Sequence, residues 1–247
     1  SDALATSSYG TNFAQPLSAA TFVSAAVKVR SNTPRLAYVA TGPFGADWIE
    51  LHNPSDQAVD ISGWSIQYTA ATGSAYGTNK FNIPDASIGP GGFFLIQTTV
   101  AIDGGNPLPA PDLVASPVRD LSSSSGKFAL VASSVALASS VCPRQADGGS
   151  SEIIDFVGYG GANCWEGLDA GYDGGAPVAR DLLDGGMVDD GGTAMITITV
   201  TYALQRLDNG CQDTDVNQVD FIRLDAGIVP RNSASAALFC GTGAGGG

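Results

Sequence analysis

Asp213, Asp215 and Asn217 stand at alternate positions, with Asp208 before them and Asp220 after. A hard cation such as calcium takes about six to eight oxygen ligands from a cluster of this kind, which makes Asp213, Asp215, Asn217 and Asp220 the candidate metal ligands and calcium the candidate cofactor. The run begins like a calcium loop, but Gln218 holds the sixth place, where such a loop needs glycine, and Leu224 the twelfth, where it needs a bidentate glutamate. A network of Asx turns tied down by Cys211 uses the same residues, because Asp and Asn side chains satisfy nearby backbone groups. Both readings stand on the sequence.

Glu50, His52 and Glu166 are a second set. Two carboxylates divide acid and base work when their surroundings separate their pKa values, yet nothing in the sequence brings these together. There is one histidine in the chain, no G-x-S-x-G and no phosphate loop. They are expected on a polar surface, and no enzyme is expected. Trp48, Trp64 and Trp165 are placed as core or core-edge residues; the competing reading is a sugar-binding face with a surface glycan as partner.

The cysteines speak to compartment. Cys142, Cys164, Cys211 and Cys240 are not in metal spacing, and an even number of widely spaced cysteines reads as disulfides and an oxidising compartment. Of the three pairings, proximity favours Cys142 with Cys164 and Cys211 with Cys240. Each closed loop would contribute about 3 to 4 kcal/mol in the chain-entropy model. No apolar stretch approaches the roughly 20 residues of a membrane span, and no leader stands at the start, so an exported chain with its signal peptide removed is expected, extracellular or at the cell surface.

These residues need strands to hold them. In Asp47–Tyr68, Ile49 and Leu51 alternate with Trp48, Glu50 and His52, the period of a strand with one dry and one wet face. Asn53-Pro54-Ser55-Asp56 breaks the run, Val59 and Ile61 make a second short strand, and Trp64, Ile66 and Tyr68 a third. Three strands within so short a stretch predict a meander. Further strands are expected at Arg35–Ala40, Phe81–Ile83, Phe93–Thr99, Lys127–Ser133, Ile153–Tyr159, Met195–Leu207, Phe221–Leu224 and Ala236–Phe239, with a long crossing loop over Ala101–Pro117 and glycine-rich hairpin turns in Asp169–Gly192.

The run W-I-E-L-H-N-P-S-D-Q-A-V-D-I-S-G-W-S-I-Q-Y resembles the lamin tail domain. The resemblance continues at Ser87–Ile96, Val157–Gly160, Asn163–Gly167, Leu204–Arg206 and Gly210–Asn217. It implies an all-β, immunoglobulin-like antiparallel sandwich of the bacterial secreted branch, whose members are often attached to extracellular hydrolases.

Residues 1–34 precede that domain as an N-terminal extension or arm, 35–240 form the sandwich, and 241–247 a glycine-rich tail or linker. Within the arm Leu17, Val23, Val27 and Val29 share one face at strand period with Ala19, Thr21 and Ala25. The segment is longer than the usual strand of about five or six residues and reads as an arm that adds to a neighbouring subunit's sheet. The net charge of -13, from 11 basic and 24 acidic residues, argues against nucleic acid, which needs neutralising cations. The expected function is a non-enzymatic, self-associating structural protein of the cell surface or extracellular space, forming a filament through that arm. The alternative is a glycan-binding or calcium-dependent targeting module of a larger secreted protein.

Overall fold

A computed structural model of the chain describes residues 44–100, 106–122, 125–143, 152–166, 203–224 and 227–240, together with the backbone of 35–40. Leu17, Val23, Val27 and Val29, the glycine-rich stretch 169–192, residues 195–202 and the tail 241–247 lie outside the described residues.

The strands are β1 (Arg35–Ala40), β2 (Trp48–His52), β3 (Val59–Asp60), β4 (Ser65–Thr69), β5 (Asn79–Asn82), β6 (Ser87–Ile88), β7 (Phe93–Gln97), β8 (Leu113–Val114), β9 (Gly126–Val131), β10 (Ile153–Tyr159), β11 (Ala203–Arg206) and β12 (Phe221–Leu224). They form a six-stranded sheet in the order β12-β11-β1-β2-β7-β8, a four-stranded sheet β10-β9-β4-β5 and the small pair β3-β6. Among the described residues these strands all pair antiparallel except β7 with β8. The result is an immunoglobulin-like β-sandwich. Its shared core packs Ile49, Leu51 and Ile96 of the larger sheet against Ile66, Phe128 and Val157 of the smaller. Side chains of this size contribute roughly 1.5–3 kcal/mol each when fully buried.

Two expectations for the Trp48–Tyr68 stretch are corrected. The three strands of Trp48–Tyr68 are not a meander: β2 lies in the larger sheet, β3 pairs with β6, and β4 lies in the smaller sheet, so the chain crosses the sandwich here. Nor does β2 have a wet face, for all five of its residues are buried. Trp48 joins Leu95 and Ala203 on the outside of the larger sheet, where Ile228 covers them and Phe44 packs alongside. Leu238 donates its N–H to Gly91 O and accepts from His52. A Cβ on Gly91 (φ 61°) would sit 3.0 Å from Leu238 O, so the close approach of this covering segment selects glycine.

The outer face of the smaller sheet is covered too. Ala129, Val131 and Phe156 pack with Tyr76 and Cys164, and Leu137 and Cys142 lie against them. Two disulfides, Cys142–Cys164 and Cys211–Cys240, tie down these coverings, one on each sheet, with the pairing that proximity in sequence favoured. Ala236–Phe239 carries no strand, and β8 interrupts the stretch expected to be a plain crossing loop.

Candidate functional site

The polar residues on the outside of β2 are internal ties. Glu50 accepts from Arg231 Nη2 at 2.7 Å and Nε at 3.0 Å through Oε1, and from the Arg231 backbone N–H at 2.6 Å through Oε2. The guanidinium lies 3.9 Å from the centre of the Phe93 ring, and His52 stacks on the same residue with centroids 4.6 Å apart. His52 Nε2 is 2.9 Å from Leu238 O and Nδ1 3.3 Å from Gly210 O. The left-handed residues Asp208 and Asn209 lead into Gly210, a conformation that short polar side chains tolerate. Burial pushes Glu50 up to about 7, against the pull of Arg231. The expectation of surface residues fails for both, because alternation shows which side chains share a face and not what covers it.

Of the four candidate ligands, Asp213 and Asp220 come together, on the guanidinium of Arg206, while Asn217 turns to β10 and Glu166. Arg206, fully buried, donates to Asp155 at 2.7 Å, to Asp213 at 3.1 Å and to Asp220 at 3.5 Å, and its guanidinium packs 4.5 Å from the Phe221 ring centre. Burial pulls its pKa down most strongly of any single influence, but the three carboxylates together raise it. Asp220 also accepts from the Thr214 N–H and hydroxyl and from the Val216 N–H. Asn217 is spent on Phe156, Gly158 and Glu166, while Asp215 sits at a left-handed turn position, φ 57°. Arg206 thus supplies positive charge where a calcium ion was a candidate, and the backbone N–H groups take carboxylate oxygens as an Asx network does. The expected result is a melting temperature that does not move between excess calcium and excess chelator; a rise with calcium would restore the metal reading.

Lys127 is buried as well. Its Nζ donates to Gly73 O at 2.7 Å, Val141 O at 2.9 Å and Asn163 Oδ1 at 2.7 Å, which uses all three ammonium hydrogens, and desolvation lowers its pKa. Two of these acceptors adjoin the Cys142–Cys164 bridge, so the lysine and the disulfide fasten the same loops. Trp48 is buried, in the cluster on the outside of the larger sheet, and Trp64 packs against the core between the sheets. Glu166 is buried beside Asn217, not beside Glu50.

One open cleft, of about 310 Å³, is lined by Phe44, Gly45, Ala46, Asp47, Thr99, Val100 and Asp120. Asp47 takes the Leu121 N–H at 2.8 Å and gives its own to Thr99 Oγ1 at 2.8 Å. Burial, helped by neighbouring Asp120, pushes its pKa up to about 6. No sequence signal marked this pair, whose members lie in separate loops.

The fused chemistry is that of a fastened scaffold: Glu50, Lys127 and Arg206 each neutralise or satisfy a partner inside the fold. No helix among the described residues is long and apolar enough to cross a membrane. In comparisons with known proteins, the family model described as Lamin Tail Domain matches residues 31–161, a little over half of the chain. No curated protein matches it.

Proposed function

The chain belongs to the lamin tail domain family, and from that premise we propose that it is a non-enzymatic structural subunit, exported and self-associating, which builds a filament through its N-terminal arm. A lamin tail domain is an immunoglobulin-like module suited to structural or binding work. The observation that carries the reading is the strand-period apolar face of Leu17, Val23, Val27 and Val29, ahead of a sandwich whose sheets are already covered on both sides. Such a segment finds a partner most readily at the open edge of another subunit's sheet. A head-to-tail contact of that kind, if it does not close, makes a fibre. Two disulfides support export, since such bonds persist in oxidising compartments.

Deleting residues 1–30 should abolish assembly while leaving the melting transition and the disulfides of the sandwich in place. Large particles that persist in light scattering after the deletion would refute the arm.

The cleft at Asp47 and Asp120 favours a second reading, a glycan-binding or targeting module of a larger secreted protein. A monodisperse monomer retained on a glycan column would select it over the first.

A further inference from the structure

We propose that Asn217 is an edge stopper: its side-chain amide holds the outer edge of β10 closed by making two of the backbone hydrogen bonds that the β10 strand of a second copy would otherwise make. The proposal stands apart from the N-terminal arm.

Among the described residues β10 is the outermost strand of the smaller sheet and, at seven residues, the longest strand. It is mostly apolar, Ile-Ile-Asp-Phe-Val-Gly-Tyr. An open edge of that length offers unpaired N–H and C=O groups to any extended chain. A second β10 is the natural occupant, because two identical edges pair antiparallel about a two-fold axis without needing any other complementary surface.

That edge is occupied from within. Asn217 Nδ2 donates to Phe156 O at 3.0 Å, and Oδ1 accepts from Gly158 N at 2.9 Å. A carboxamide has one acceptor oxygen and an N–H donor on the same planar group, so it presents to the strand what a peptide bond would. Asn217 is fully buried and cannot swing away freely. Its backbone N–H bonds Glu166 O at 3.1 Å, Glu166 N bonds Oδ1 at 3.2 Å, and Nδ2 reaches Glu166 Oε2 at 3.2 Å. The Cys164 backbone presses in beside it, so closely that a Cβ on Gly158 would lie 2.1 Å from Cys164 O. Cys164 is itself held by its disulfide to Cys142. Two pieces of chain, around Asn217 and at 164–166, therefore converge on one strand edge, with a single amide making two of the contacts a partner strand needs.

The test uses the full chain, as wild type and as Asn217→Ala, in light scattering over a concentration series combined with amide hydrogen exchange at Gly158. In wild type the Gly158 amide should exchange as slowly as the sheet interior at every concentration. In dilute N217A it should exchange at least about 100-fold faster, because its acceptor is gone. On concentration the N217A mass should rise above that of wild type at the same concentration while Gly158 regains protection. Assembly through the arm would instead be present in wild type and unchanged by N217A. Fast exchange of Gly158 in wild type, or an N217A chain whose mass follows wild type at all concentrations, would overturn the proposal. Should N217A fail to fold, Asn217→Asp keeps the acceptor for Gly158 but loses the donor to Phe156, and its mass is read in the same way.

Discussion

Arg206→Ala should lower stability by about 3–5 kcal/mol, or leave the protein unfolded, because it strands carboxylates that have no access to water. Asp220 is fully buried and Asp155 nearly so, and both face the guanidinium from different parts of the chain. The loss would be transmitted to the 213–220 turn, where Asp220 holds Thr214 and Val216. Removing one member of a buried ion cluster is far more costly than replacing the whole cluster with neutral groups. The combination of Arg206→Met with Asp155→Asn and Asp220→Asn should therefore regain part of what Arg206→Met alone loses. Urea unfolding of the single and triple variants reads this directly; a single variant within about 1 kcal/mol of wild type would show that Arg206 is not the centre of the cluster.

The second large effect is at the other fastened face. Arg231→Ala leaves the Glu50 carboxylate, with no exposed surface, without its two guanidinium bonds, and should cost about 3 kcal/mol or more near pH 8. The deficit should shrink on acidification, because a protonated Glu50 no longer needs the cation. In wild type the sign is the same. The folded-state pKa of about 7 lies above the reference value of 4.5, so between these values the folded state holds a proton that the unfolded chain has released. Stability from this group is complete below about pH 4.5 and declines as pH rises through 7. Asp47, raised to about 6, acts in the same direction. The urea midpoint should thus be higher at pH 5 than at pH 8 in wild type, and the gap between wild type and R231A should be wider at pH 8. Equal gaps at both pH values would mean that Glu50 stays ionised throughout.

Much of the fold could be read from local pattern. Alternation located β2 and β4, the runs Lys127–Ser133 and Ile153–Tyr159 hold β9 and β10, and loop length favoured the two disulfides that form. What alternation could not give was the second layer on each sheet. Glu50 and His52 read as wet because the segment that covers them, Ile228 to Leu238, has no periodicity of its own and reaches β2 from about 180 residues away in sequence. Turn residues such as Asn53-Pro54 showed that the chain breaks, but not that it changes sheets. The acidic residues at 213–220 were found by composition, while their partner Arg206 looked like any strand-end arginine, since its closest carboxylate, Asp155, is 51 positions away. The arm was singled out from sequence alone and remains a proposal.

Self-association through that arm is the claim on which the functional account turns, and negatively stained electron micrographs of the intact chain test it most directly. The account predicts elongated particles that disappear when residues 1–30 are deleted. A field of separate, uniform monomers from the intact chain would contradict it.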